Sequence, residues 1–524
     1  MTRQKSDAPA VPEGRRKAVQ TRGDKRSEGG RGSTVSKVPL QLELRLGAVE
    51  GPSVKAGGAN ASVDGDRSPP ALREARKPRF KGERAADPTM EEVAEKLWSA
   101  FEKVASNKGA PGPDRQSIED VREHLPKILP ALEADLLAGT YVPGNIRRVW
   151  IPKSGGGERG LGIPNVIDRV VQEAVRQVLE PAYEPTFHAS SHGFRPNRSC
   201  HTAIEEARSY VEQGYEWVVD LDLEKFFDKV NHQRLMARLA QRVVDRRMLV
   251  LVGQMLKANV VMPDGLMVGT DEGVPQGGPL SPLLSNIVLS ELDAELSQRG
   301  LRFVRYADDC NIYVGSQRAG ERVKESVTRF IERRMRLKVN EAKSAVARPE
   351  ERHFLGFRLQ RDPLSGEVEV LLSKRSIERL DSAIRERTPR TWGNSLRACI
   401  RGLDRFLLGW IGHFGICTPQ VEQCLRTADA HIRRRLRAIQ LRHWKRRSTI
   451  AERLTQLGTS KRTAWHGVYD GRKSTWALSR TSAVHRGLRN AYFAERGLES
   501  LATLWRRTHE NIAGQHRQFQ LRFG

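Results

Sequence analysis
Arg302-Phe303-Val304-Arg305-Tyr306-Ala307-Asp308-Asp309-Cys310-Asn311-Ile312-Tyr313-Val314 decides how this chain is read. Two short runs rich in β-branched and aromatic residues flank a pair of adjacent acids, which predicts a hairpin joined at Asp308-Asp309. Tight hairpin turns favour Asn-Gly or Asp-Gly because they need positive φ. Two neighbouring carboxylates supply no glycine and repel each other, so something positive is expected to compensate them.

A second stretch upstream, Trp217-Val218-Val219-Asp220-Leu221-Asp222-Leu223, has the same unusual character. Strand alternation sends Trp217, Val219, Leu221 and Leu223 to one face and Asp220 and Asp222 to the other. One acid from this strand, together with Asp308 and Asp309, would make an oxygen cage suited to hard divalent cations such as magnesium. Two such ions can serve an in-line phosphoryl displacement. A lone Asp is more often a cap or turn residue. Three on neighbouring strands are not, although spacing leaves the choice between Asp220 and Asp222 open.

The chain has 524 residues and a formal charge of +26, with 38% hydrophobic and 29% charged residues. That length implies several domains, and the charge points to a polyanionic partner. Anionic membrane is the rival partner, but no apolar run is long enough to span a bilayer and Met1–Ala10 lacks a signal peptide's apolar core. The expectation is a cytoplasmic nucleic-acid-binding protein. The five cysteines (Cys200, Cys310, Cys399, Cys417, Cys424) form no Cys-x-x-Cys pair. Neither a disulfide framework nor a zinc module is therefore expected, and Cys424, on a helical apolar stripe, reads as a small buried hydrophobe.

Residues 1–85 are basic and rich in Gly, Ser and Pro, which predicts disorder. Packed structure begins near Met90. Two strands around Lys153-Ser154-Gly155-Gly156-Gly157 read as a hairpin, and Asn165 is placed to cap the helix that follows. Ser281 is placed to cap another, with Pro282 at its first position and Gly300 at its end. From Lys374 onward the periodicity is helical. Leu396, Ile400, Leu403, Leu407 and Trp410 form one stripe, and Val421, Leu425, Ala428, Ile432, Leu436 and Ile439 another. The helix expected over 430–447 carries Arg433, Arg434, Arg437, Lys445 and Arg446 without an acid, a face that repels itself unless it meets phosphate. A plain solvated face is the bland alternative. Trp476, Tyr492 and Trp505 could stack on bases, but core packing is the better expectation.

Tyr306-Ala307-Asp308-Asp309 matches the reverse-transcriptase palm motif, and further blocks fall around it in order. GAPGPD at Gly109 precedes RRVWIPKSGGGERGLGIPNVIDRVVQ (147–172) and SHGFRPNRSCHTA (191–203). WVVDLDLEKFFDKVNH, GVPQGGPLSPLLSNIVL, LKVNEAKS and FLGF then follow. The series resembles the group II intron-encoded reverse transcriptases, or maturases, over roughly residues 90 to 520. RFLLGWIGHFGI and HIRRRLRAIQLRHWKRR resemble that family's thumb helices.

The resemblance implies an α/β right-hand polymerase of fingers and palm (86–365), an all-α thumb or maturase domain (366–450) and a small basic C-terminal module (451–524) contacting nucleic acid. It implies RNA-directed DNA synthesis with two Mg2+ ions held by Asp222, Asp308 and Asp309, which leaves Asp220 as a near miss. Lys153 and Arg159 match residues that grip the triphosphate, Gln276 and Gly277 the pair near the incoming nucleotide, and Lys343 a lysine near the primer. Phe227 matches an aromatic wall against a ribose 2′-hydroxyl. Phe226 is adjacent, and alternation would send only one ring into the site. For these residues core packing (Phe227) or a solvated cation (Lys153, Arg159, Lys343) is the bland reading.

The implied partners are group II intron RNA, an RNA template with a DNA primer or target DNA, and dNTPs. Many family members end in a zinc-bearing HNH endonuclease. No paired cysteines follow Cys424 here, so second-strand cleavage is not expected. The rival functions are a host-adopted reverse transcriptase for defence or repair, and an RNA-binding splicing factor without polymerase activity.

Overall fold
The computed structural model describes residues 87–152, 156–471 and 473–511. The basic segment 1–85, its short apolar stretch Val38–Val49 and Lys153 lie outside the described residues.

The fingers open with helices over Met90–Glu95, Leu97–Ser106 and Ile118–Ala138. Strands β1 (Ile146–Pro152) and β2 (Glu158–Ile163) then form the expected hairpin, pairing Ile151 with Arg159. The helix Val166–Tyr183 follows, with Val166, Val170, Ala174 and Val178 buried. Asn165 stands at its cap position but makes no capping bond. Its Oδ1 accepts the Asp114 N–H instead, 3.2 Å away, and so anchors the Gly-Pro loop between the helices Leu97–Ser106 and Ile118–Ala138.

The palm is a sheet of β3 (Trp217–Leu221), β6 (Arg302–Tyr306), β7 (Asp309–Val314) and β8 (Ala345–Ala347), ordered β6-β7-β3-β8 and antiparallel throughout. Two short strands, β4 (Val260–Val261) and β5 (Met267–Val268), extend the fingers sheet. The palm sheet divides two cores. Val219, Leu221, Phe303 and Ile312 join the core shared with the fingers helices, and Val218, Val304 and Tyr313 join the core shared with the thumb. Period-two alternation therefore puts the acids of β3 on the thumb side. The helix Ser281–Gln298 starts one residue before the expected position, so Ser281 is helical and its hydroxyl donates to the Pro275 carbonyl at 2.6 Å.

A hairpin of β9 (Phe357–Arg361) and β10 (Val368–Leu372) precedes the thumb. The boundary expected at 365/366 falls within its turn. Thumb helices span Lys374–Arg387, Leu396–Phe414 and Val421–Trp444. Both predicted stripes face inward, and Trp410 and Ala428 are half-buried at their edges.

The residues after Val421–Trp444 do not build a separate core. Leu454, Val468, Val484, Phe493 and Trp505 share the thumb's cluster. Buried Asp429 reinforces the junction by accepting from Ser500 Oγ (2.5 Å), Leu501 N (2.8 Å) and Ala502 N (3.3 Å). Trp505 is buried, as core packing requires, and its indole N–H donates to the Cys417 carbonyl.

Candidate active site and nucleic-acid interface
The β3–β7 register pairs Leu221 with Cys310 and Asp220 with Asn311. One step further, the same register carries Asp222 to the level of Asp309, the first residue of β7. The turn is therefore Ala307-Asp308, not Asp308-Asp309, with Tyr306 paired to Asp309 across it. Ala307 takes the positive φ (+57°) for which a hairpin usually recruits glycine.

Arg305 holds this strained turn. Its guanidinium is fully buried and donates to the Ala307 carbonyl (2.9 Å), Ser191 Oγ (2.6 Å), Asn286 Oδ1 (3.0 Å) and both oxygens of Asp293. Gly193 presses on the turn from outside, where a Cβ would lie 2.3 Å from Ala307 N. Sequence reasoning passed over this hub. Its signal is a charge on the apolar face of each element, Arg305 beside Phe303 and Asp293 beside Leu289, Leu292 and Leu296.

Asp220 and Asp222 have different surroundings. Arg352 holds Asp220 through Nε (3.0 Å) and Nη2 (2.5 Å). Asp222 faces Lys343, with Nζ 3.4 Å from a carboxylate oxygen, while its backbone is pinned by Ser344 Oγ and Asn340 N. Asp220, Asp222, Asp309, Lys343 and Arg352 all line a cavity of about 1170 Å3 whose far wall is built from the thumb residues Trp410, His413 and Phe414.

Asp309 is exposed to solvent at the floor of this cleft, although protein atoms crowd round its carboxyl on the other sides. That desolvation, followed by Asp308, Asp220 and Asp222, pushes its carboxyl up to about 7, against the pull of Lys343. Burial also raises Asp308, with Arg159 and Arg305 opposing. The expected compensating charges are thus present but insufficient. Crowded oxygen donors with excess negative charge fit a hard divalent cation.

Arg159 is exposed on β2, on the side that acts on Asp308. Gln276 and Gly277 lie against the same hairpin. The Gln276 carbonyl accepts from Gly162 N (2.7 Å), and at Gly277 (φ +122°) a Cβ would meet the Gly162 carbonyl at 2.5 Å. Phe226 and Phe227 do not alternate, because residues 226–229 form a helical turn after Lys225 (φ +47°). Both rings are buried, edge-on at 5.2 Å. The Phe227 carbonyl accepts from Val274 N at 2.6 Å, which joins this turn to the Gln276 loop.

The basic stretch is divided. Its helix ends at Trp444, and Lys445 and Arg446 are exposed in the break before the next helix. Arg437 corrects the expectation of a phosphate-facing side chain. It is buried, its Nε donates to the Leu488 carbonyl at 2.9 Å, and burial and then Arg433 lower it to about 10. Arg433 and Arg434 are half-buried and, with Arg437 and Arg480, line a cavity of about 490 Å3 that has no acid among its lining residues. The Arg434 guanidinium lies 3.8 Å over the Trp476 ring and Arg390 lies 4.9 Å from it, so this half-buried indole stacks on arginines.

Among the described residues no helix is long and apolar enough to cross a membrane. Residues 151–359 match the family described as "Reverse transcriptase (RNA-dependent DNA polymerase)", and residues 377–457 match "Group II intron, maturase-specific domain". Protein YkfC of Escherichia coli (strain K12) is 34% identical over 306 residues, covering 51% of this chain and 80% of that protein. The group II intron-encoded protein LtrA of Lactococcus lactis subsp. cremoris is 36% identical over 214 residues, 40% of this chain. The match spans only 34% of LtrA's length. The chain belongs to the reverse transcriptase (RNA-dependent DNA polymerase) family, in the branch that carries a group II intron maturase-specific domain.

Proposed function
We propose that Asp222, Asp308 and Asp309 hold two Mg2+ ions and that the cleft between palm and thumb copies RNA into DNA. The observation that carries this reading is the convergence of three carboxylates at one sheet end, where desolvation and then the neighbouring carboxylates push Asp309 up to about 7. Reverse transcriptase domains depend on divalent metal. When bound, such ions lower the barrier to attack by a primer 3′-hydroxyl and stabilise the leaving pyrophosphate.

The protein's own part is orientation. Arg305 fixes the turn that presents Asp308 and Asp309, and the Leu221–Cys310 register brings Asp222 alongside them. Arg159, on the edge strand β2 of the fingers sheet, supplies charge for a triphosphate, and Lys153 is assigned to the same task. Gln276 and Gly277 border the nucleotide, with Gly277 kept bare so that the loop can touch the hairpin. Phe227 closes the side where a 2′-hydroxyl would lie, and Lys343 steadies Asp222 next to the primer.

The basic thumb and C-terminal region binds group II intron RNA in this reading, assisting splicing and mobility, with DNA as primer or target. The acid-free cavity lined by Arg433 and Arg434, together with exposed Lys445 and Arg446, supports it.

Asp308→Asn tests the polymerase assignment. The change removes a metal-binding charge and keeps the shape, so primer extension on an RNA template should be abolished while RNA retention on filters persists. Extension near the wild-type rate would sink the assignment.

A further inference from the structure
We propose that Cys200, His201 and His413 form a binding site for a thiophilic divalent cation of the zinc class, at the junction of palm and thumb. Cys200 and His201 begin the helix Cys200–Glu212, and His413 lies near the end of the thumb helix Leu396–Phe414. One ligand atom from each of the three lies within 4.8 Å of the other two. All three side chains are half-buried.

The hydrogen bonds leave the right atoms available. His201 Nε2 is 2.8 Å from the His413 carbonyl, and His413 Nε2 is 3.3 Å from the Leu355 carbonyl. A carbonyl can only accept, so in the neutral rings both Nε2 atoms carry the proton, which leaves the His413 Nδ1 a lone pair. Metal-binding histidines are commonly oriented this way, with the remote N–H given to a carbonyl or carboxylate. The His413 Nδ1 faces Cys200 Sγ at 3.4 Å. A tetrahedral zinc with ordinary Zn–S and Zn–N bonds places those two atoms about 3.6 Å apart. The other two separations, each within 4.8 Å, must then contract by up to about 1.2 Å to reach that geometry, within the range of side-chain rotation at a partly open site. Three protein ligands leave one position for water.

The site has a mechanical meaning. Cys200 and His413 are 213 residues apart, and His413 also lines the cavity that contains Asp222 and Asp309. A cation held there would pin the first long thumb helix to the helix packed behind β6, fixing the width of the cleft. The cysteines of this chain show no paired spacing, so such a site arises only where two distant segments meet.

The test uses the full chain, stripped with chelator and titrated with Co2+. Wild type should develop a thiolate-to-cobalt charge-transfer absorption that saturates near one equivalent and is displaced by Zn2+. Cys200→Ser and His413→Gln should lose it, while Cys424→Ser and Asp308→Asn keep it. The last variant separates this site from the palm carboxylates, which have no sulfur to give that absorption. Zn2+ should also raise the thermal midpoint of the stripped wild type and leave that of Cys200→Ser unmoved. Circular dichroism identifies a variant that has failed to fold, and the wild-type titration stands without it. No charge-transfer absorption in wild type, or an equal one in Cys200→Ser, would overturn the proposal and leave a plain thiol-to-imidazole hydrogen bond.

Discussion
Arg305 and Asp293 form a two-point ion pair, Nε to Oδ1 and Nη2 to Oδ2, each 2.6 Å, with both side chains sealed from solvent. The same guanidinium donates to the Ala307 carbonyl, so one buried pair links the helix Ser281–Gln298 to the turn that carries Asp308. Removing one partner of such a pair costs about 3–5 kcal/mol, because the other charge stays buried. Arg305→Met should therefore lower the thermal midpoint sharply. The double change Arg305→Met with Asp293→Leu should recover much of it, because no lone charge remains. Primer extension should stay impaired in both, since Ala307 has lost its restraint. Full activity in the stable double variant would show that the turn needs no holding.

Phe227→Ala should relax sugar discrimination, raising rNTP use relative to dNTP by on the order of tenfold to a hundredfold. Because the ring is buried beside Phe226, the change should also cost about 3–5 kcal/mol of stability. Comparing incorporation ratios, not rates, separates the two effects. An unchanged ratio would move the wall elsewhere, with Phe226 the first suspect.

The raised carboxyl of Asp309, at about 7, makes two pH effects. Cation binding requires the carboxylate, so apparent Mg2+ affinity should fall by up to about tenfold per unit as pH drops below 7. In chelator the sign for stability is opposite. The folded value lies above the unfolded one of about 3.9, so stability is fully present below that value and is lost as pH rises through about 7. Asp309→Asn should melt above wild type at pH 8 without metal, with the gap closing toward pH 4. A gap that is constant with pH would mean that Asp309 titrates normally.

The arginines of the thumb should separate into two behaviours. Changing Arg433, Arg434 and Arg446 to Glu should weaken RNA binding and lower its salt slope by about one unit for each phosphate no longer neutralised. Arg437→Ala should act on stability instead, because it releases the Leu488 carbonyl. A salt titration of RNA affinity beside thermal melts distinguishes them. Identical RNA affinity in the triple variant would remove this surface from the interface.

Much of the architecture was legible because it is periodic. Alternation in Trp217–Leu223 and in Arg302–Val314 settles three palm strands and the face that carries the acids, since a side chain's face follows from parity alone. The inward stripes of Leu396–Leu407 and Val421–Ile439 follow from helical spacing in the same way. Relations between distant segments have no such local signature, and tertiary structure decided them. Asp220 and Asp222 share a strand face and both line the cleft, and what distinguishes their surroundings is Arg352, 132 residues further on, which pairs with the first, and Lys343, which faces the second. Arg433 and Arg437 sit one turn apart in an acid-free run, yet only Arg437 is drawn inward, by a carbonyl 51 residues away. A charged side chain goes where a distant partner can satisfy its hydrogen bonds, and only the folded chain brings that partner near.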